Sequence, residues 1–331
     1  MKLACVFTGQ GSQSEKLGVT LQSFPEFESQ LHDFQNECDL PLKRWLFEDS
    51  QETLNATEIQ QPLIYFYGYV AFRGFLSQIS IQRPIQGAYY AGHSLGEYTA
   101  LAALGVLDPK WTLRAVRIRG QKMQHVCPIG QGAMAAIMTS SVTQVRKACE
   151  QISLEYGEPG ALEIANYNSK RQVVVSGKTE CVDMIERLSA EFGTQFGILK
   201  VVRLQVSAPF HSKYMSPMKD DFYDSCLQEL CLQPAQDEAG VWIPNVTAQP
   251  VIANELDAKT IQSLLLSQLD RPVQWESTTA LFAADPNLTA IIEFGPKPIL
   301  SSLMKRDVSC PIFFVGSWSD VNTVAQHLSH I

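Results

Sequence analysis

The stretch YYAGHSLGEYTALAALG, residues 89–105, decides the fold. IQGAYYAGHS reads as a buried strand running into glycines, Gly92-His93-Ser94-Leu95-Gly96 as a tight Gly-x-Ser-x-Gly turn, and LGEYTALAALGVL as a helix by its apolar spacing. Strand, tight turn and helix in that order lift a serine out of a sheet and expose it as a nucleophile. The flanking glycines permit the strained turn, and the helix N-terminus aims its unpaired N–H groups toward the serine. Ser94 is therefore a candidate nucleophile. The N–H of Leu95 is a candidate oxyanion donor, a contact worth on the order of 100- to 1000-fold in rate.

Outward from this turn, residues 3–8 read as a short apolar strand ending in the Gly-rich TGQGSQ, and residues 61–79 as a buried helix. After Pro128-Ile129-Gly130-Gln131-Gly132 the pattern changes. AMAAIMT reads as strand, VTQVRKACEQIS as helix, ALEIANYN and RQVVVSG as strands, ECVDMIERLSAEFG as helix and ILKVVRLQV as strand. The order βαββαβ is the ferredoxin-like arrangement. The expectation is an α/β protein in which residues 130–203 form a ferredoxin-like small domain inserted into a larger α/β domain made of residues 1–129 and 204–331. A cleft between the two is the expected binding site.

Bulk properties narrow the function. The 331 residues can bury a sizeable core, and 45% hydrophobic with 18% charged residues is ordinary for a soluble globular protein. No apolar run approaches the roughly 20 residues that span a bilayer, and MKLACVFTGQ reads as a first strand rather than a signal peptide. A cytoplasmic enzyme without membrane attachment is expected. The net charge of −8 argues against a nucleic-acid partner, because phosphate neutralisation needs clustered Lys and Arg. Eight scattered cysteines with no Cys-x-x-Cys pair read as reduced thiols, and no histidine has metal-like spacing, so no metal is expected.

A nucleophilic serine needs a base, and the chain offers six histidines. His32, His125, His327 and His330 fall in stretches that read as surface. His93 adjoins the serine, but neighbouring side chains on a tight turn diverge, so it reads as structural. His211, in VSAPFHSKYM after a strand and a Pro-containing turn, sits where a loop residue reaches into a cleft and is the best candidate.

FTGQGSQ, GHSLGEYTA, RIRGQKMQ, GAMAAI, NYNSKRQVVVSG, SAPFHSKYM, RPVQW and EFGPKPIL occur in the order found in a known family. Through them the chain resembles the malonyl-CoA:acyl carrier protein transacylases, a group that includes the acyltransferases of polyketide synthases. The resemblance implies an α/β-hydrolase-like core with a ferredoxin-like insert. It implies Ser94 as the acylated nucleophile and His211 as base and later acid. Gln10 and Leu95 would supply the backbone N–H pair of the oxyanion hole. The backbone carbonyl of Gln268 would orient the histidine without adding a charge, so the side chain at 268 is expected to matter little. Arg119 would grip the free carboxylate of malonyl. A charge-assisted bidentate pair is worth about 1.5–3 kcal/mol, or about ten- to 100-fold preference over acetyl. Arg114 and Arg117 read as solvent-facing. Phe210 resembles the ring that crowds out an α-methyl branch in malonyl-selective enzymes. Asn166 and Asn168 fall in another matching block and are as well explained by turn capping. Thr8 stands where the family usually has proline.

Transfer and hydrolysis share an acyl-Ser94 ester and differ in what attacks it. Relatives that hydrolyse acyl groups from carrier proteins lack the carboxylate-binding arginine, so Arg119 favours malonyl transfer. A non-catalytic docking module is the third alternative, and Ser94, His211 and Arg119 together argue against it. The expected partners are malonyl-CoA and an acyl carrier protein, whose phosphopantetheine supplies the accepting thiol. No cofactor is expected. SAPFHSKYM and NVTAQP are more similar to discrete polyketide acyltransferases acting in trans than to the fatty-acid enzyme, which is the alternative.

Overall fold

The computed structural model describes residues 1–12, 17–48, 54, 56–80, 85, 87–128, 130–206, 208–237 and 239–329. His330 and Ile129, the last residue of the expected first segment, lie outside the described residues. The strands are β1 (Lys2–Phe7), β2 (Tyr89–Gly92), β3 (Gly132–Thr139), β4 (Leu162–Ser169), β5 (Gln172–Lys178), β6 (Ile198–Arg203), β7 (Val241–Ile243), β8 (Val251–Ile252), β9 (Leu288–Phe294) and β10 (Ile312–Val315). They form a six-stranded sheet in the order β10-β9-β1-β2-β7-β8 and a four-stranded sheet in the order β4-β5-β3-β6. The architecture is α/β.

In the larger sheet β1 pairs in parallel with both β2 and β9. Central parallel strands are covered on both faces, which is why Leu3 to Phe7 are uninterruptedly apolar and fully buried. The Thr57–Ser80 helix supplies much of that cover, its ring of Tyr65, Phe66, Phe72 and Phe75 packing into the same core as Phe7 and Phe294. β1 ends at Phe7, one residue earlier than its sequence pattern suggested, and β2 is confined to Tyr89–Gly92. The loops leaving the C-terminal ends of β1 and β2 carry Gln10 and Ser94, the edge at which open parallel sheets bind ligands.

The two glycines of the turn are required by crowding. A Cβ on Gly92 would lie 2.0 Å from the Gly96 carbonyl, and one on Gly96 would lie 2.1 Å from the Phe7 carbonyl oxygen. No side chain fits either place, so the Gly96–Leu104 helix packs directly on β1.

The smaller sheet follows the chain order expected for it. β3, the Val142–Tyr156 helix, β4, β5, the Thr179–Phe192 helix and β6 succeed one another, and all strand pairs are antiparallel. Its own core includes Ile137, Val145, Ile152, Val173, Val175, Val182 and Ile185, while Met134, Ala165 and Val174 join the core of the larger sheet. The smaller sheet is also tied through the backbone to the segment just before the Trp275–Ala284 helix. Val273 donates its N–H to Ala165 O at 2.9 Å, and Tyr167 donates its N–H to Val273 O at 2.9 Å. Among the described residues, no helix is long and apolar enough to cross a membrane.

Candidate active site

Ser94 has a left-handed backbone, with φ of 53°. A non-glycine residue there is strained by of order 1–3 kcal/mol and persists only where its surroundings hold it. Asn245 does the holding. Its Oδ1 accepts the Ser94 N–H at 2.7 Å and its Nδ2 donates to Gly92 O at 2.6 Å, so one buried amide bridges both ends of the turn. His211 is also left-handed, at φ 57°. The Ser94 hydroxyl and His211 Nε2 are 2.7 Å apart.

The other ring nitrogen, Nδ1, lies 2.8 Å from the backbone oxygen of Gln268. Gln268 is in the last turn of the Ala258–Asp270 helix, where carbonyls have no partner within the helix and are free to accept an outside N–H. That contact places the proton on Nδ1 and leaves Nε2 as the acceptor for the serine. His211 is buried, and burial together with the nearby Arg119 charge lowers its pKa to about 3, against the opposing pull of the Gln268 carbonyl. The imidazole is therefore neutral and able to receive a proton.

Arg119 lies on the inward face of the Pro109–His125 helix, whose start is fixed by Asp108 accepting the Trp111 N–H and by Pro109 in the first turn. It is 1% exposed. Nη1 donates to Gln61 Oε1 at 2.9 Å, and Nη2 donates to Gln268 Oε1 at 2.9 Å and to Ser94 Oγ at 3.1 Å. Its Nε has no partner among the described residues. Arg114 is exposed and donates to Glu37 O, whereas Arg117 is partly covered and lies over the Trp45 ring, so it is not the purely solvent-facing residue expected.

Gln10, Ser94, Leu95, Arg119, Phe210 and His211 all line one cleft of about 80 Å³. Six of the seven expected site residues thus share a cavity, and Gln268 supports it from behind. A second hollow of about 350 Å³ reaches the other side of His211, with Glu163, Tyr167 and Asp270 on its wall, but it does not touch Ser94.

The side chain of Gln268 corrects the expectation that it would matter little. It is fully buried, and its Nε2 donates to Ser94 O at 2.8 Å and to Glu97 Oε2 at 2.5 Å while its Oε1 holds Arg119. The Glu97 Oε1 accepts the Asn245 N–H at 2.9 Å. Burial pushes Glu97 up to about 8, opposed by these donors and by Arg119. Asn245, Glu97 and Gln61 were not singled out by the sequence. His93 Nε2 and Asn168 Oδ1 are 2.8 Å apart, which fits a structural His93 and gives Asn168 a side-chain partner beyond its own strand. Asn166 lines the cleft with its Nδ2 unpartnered among the described residues. Thr8 uses the N–H that proline lacks to donate to Phe294 O at 3.2 Å, adding a tie between the first loop and β9.

A serine, a neutral imidazole with its tautomer fixed and a cation 3.1 Å from the serine oxygen are equipped to acylate the serine with an anionic acyl group. The acyl transferase domain family matches residues 4–320. The chain belongs to this family. The acyl transferase is 31% identical over 309 residues to the malonyl CoA-acyl carrier protein transacylase of Bacillus subtilis, covering 92% of this chain and 90% of that one. The enzyme of the same description in Staphylococcus aureus is 31% identical over 308 residues, 92% of each chain. Among solved structures, the FabD of Acinetobacter baumannii superposes with a TM-score of 0.86 at 30% identity, covering 99% of this acyl transferase and 98% of that chain. A malonyl-transacylase solved in complex with its type II polyketide synthase acyl-carrier protein gives a TM-score of 0.86 at 27% identity, covering 99% and 100%.

Proposed function

We propose that this acyltransferase moves a malonyl group from malonyl-CoA to the phosphopantetheine thiol of an acyl carrier protein through a malonyl-Ser94 ester. The observation that carries the reading is Arg119 Nη2, a buried cation 3.1 Å from the Ser94 hydroxyl oxygen. A guanidinium so close to the reacting oxygen suits an acyl group that carries a carboxylate beyond its carbonyl.

His211 takes the Ser94 proton as Oγ attacks the thioester carbonyl and returns it to the departing CoA sulfur. In the second half-reaction it takes the proton of the carrier thiol as the sulfur attacks the ester, and returns it to Ser94 Oγ as the ester bond breaks. The backbone N–H groups of Gln10 and Leu95 stabilise the tetrahedral oxyanion. Their shared position on the cleft wall with Ser94 supports that role. When a carboxylate sits on Arg119 it cancels the charge that helps depress His211, so a malonyl group strengthens its own base. Phe210, buried beside His211 on the same wall, narrows the room for an α-methyl branch. These residues contain every proton-transfer and binding group the reaction needs, with no cofactor.

The larger sheet and the turn at Ser94 support an α/β-hydrolase-like domain from residues 1–129 and 204–331. The β4-β5-β3-β6 order supports a ferredoxin-like insert over 130–203. The likeness of SAPFHSKYM and NVTAQP to discrete polyketide acyltransferases favours a cytoplasmic enzyme loading polyketide carriers in trans.

The test is to supply malonyl-CoA with and without a phosphopantetheinylated carrier and follow free CoA and loaded carrier. Carrier-dependent CoA release with matching carrier loading is the expected result. Equal release without carrier would assign the protein to hydrolysis instead. Parallel loading of polyketide-type and fatty-acid-type carriers decides between the two pathways.

A further inference from the structure

We infer that Glu97 is a positioning residue that keeps the charge of Arg119 available to the acyl group, acting through the amide of Gln268. The inference rests on the proposed role of Arg119 as the carboxylate-binding residue.

The groups that hold the Arg119 guanidinium are neutral: the Gln61 amide oxygen, the Gln268 amide oxygen, the Ser94 hydroxyl and the Tyr98 side chain, whose ring centre is 5.5 Å away. Glu97 is the buried acid nearest this group in the hydrogen-bond chain, and no ion pair of the described residues joins it to Arg119. Gln268 stands between them instead. A direct pair would satisfy both charges and leave nothing for a substrate carboxylate.

An amide can turn over, exchanging its oxygen for its NH2, and the orientation here decides what Arg119 meets. Glu97 decides the orientation. Its Oε1 accepts the Asn245 N–H and its Oε2 accepts from Gln268 Nε2, and these two donors, with Arg119, favour the ionised carboxyl against the burial that raises it to about 8. Ser94 O demands the same end of the amide. With Nε2 committed to two acceptors, Oε1 is turned onto Arg119 Nη2. The carboxyl is itself fixed by its place in the first turn of the Gly96–Leu104 helix, three residues beyond Ser94, and by the backbone of Asn245, whose side chain holds the Ser94 turn. One chain of hydrogen bonds therefore sets both the nucleophile and the fork that reads the acyl carboxylate.

In Glu97→Gln the new amide must oppose an N–H with its own NH2, on Asn245 or on Gln268, whichever way it turns. Release of the Gln268 amide would aim NH2 at the guanidinium and dislodge it. The experiment measures kcat/KM for malonyl-CoA and for acetyl-CoA, with transfer to a phosphopantetheinylated carrier, in the wild type, Arg119→Ala, Glu97→Gln and the double variant Glu97→Gln/Gln268→Glu. The double variant exchanges amide and carboxylate, replaces the donor to Ser94 O with an acceptor that opposes it, and places a negative charge on Arg119.

Arg119→Ala should lower the malonyl-to-acetyl ratio, which checks the reading on which this one rests. Glu97→Gln should lower the ratio at least tenfold, and the double variant should bring it to the Arg119→Ala value. A merely structural role would reduce both substrates together. If Arg119→Ala lowers the ratio but whichever Glu97 variant folds keeps the wild-type ratio, the inference is overturned. A wild-type ratio in Arg119→Ala would instead sink the role given to Arg119.

Discussion

The Ser94 hydroxyl oxygen lies 3.1 Å from Arg119 Nη2 and 2.7 Å from His211 Nε2, so one oxygen is shared by a cation and a base. Removing that oxygen should end acylation while leaving the fold intact. Intact-protein mass spectrometry after mixing with malonyl-CoA should show an adduct of malonyl mass on the wild type and none on Ser94→Ala.

Arg119→Ala should cost malonyl-CoA about ten- to 100-fold in kcat/KM relative to acetyl-CoA, the worth of one charge-assisted bidentate contact. Competition of malonyl-CoA, methylmalonyl-CoA and acetyl-CoA for one carrier provides the measurement. Equal competition by acetyl in the wild type would contradict the assignment.

The depressed His211 gives a pH signature. An ordinary histidine would lose its base function below about pH 6.5. With a pKa near 3, His211 should not limit kcat/KM for acylation down to about pH 5, and any inflection near pH 8 should belong to Glu97 and vanish in Glu97→Gln. The same shift bears on stability. The unfolded chain binds a proton near 6.5 and the native site does not until about 3, so stability is complete above 6.5 and declines as pH falls between these values. Urea midpoints measured at pH 7 and pH 5 should show the loss, and His211→Gln should reduce its size.

Gln268→Ala keeps the backbone carbonyl that meets His211 but deletes the amide that meets Arg119, Glu97 and Ser94. It should lower stability by about 1–3 kcal/mol, the cost of leaving buried polar groups unsatisfied, and should raise KM for malonyl-CoA. Denaturant titration and steady-state kinetics together check this. Wild-type behaviour in both would mean the side chain is dispensable.

Asn245→Ala removes the bridge between the Ser94 N–H and Gly92 O. Without it the strained Ser94 backbone loses its restraint. The expected result is a stability loss of similar size, about 1–3 kcal/mol, together with a slower acylation step in rapid-quench measurements.

Much of this site was legible because its signals are local. The Gly-x-Ser-x-Gly turn, the apolar strand before it and the helix after it lie within seventeen residues, and crowding at Gly92 and Gly96 explains why no other residue type stands there. The order of elements between residues 132 and 203 followed from changes in apolar period alone. The supporting residues left no such trace. Asn245 meets Ser94 across 151 positions, and Glu97 meets Asn245 across 148, so neither role exists until the chain has folded. The Gln268 side chain was undervalued for the same reason: resemblance spoke for its carbonyl, and only packing reveals its amide.

The pair of backbone hydrogen bonds between Val273 and β4 has a mechanical meaning. It pins β4, beside the cleft-lining Asn166, to the segment that leads into the Trp275–Ala284 helix. Moving that wall outward would have to break both bonds, so they act as a clasp on this side of the cleft.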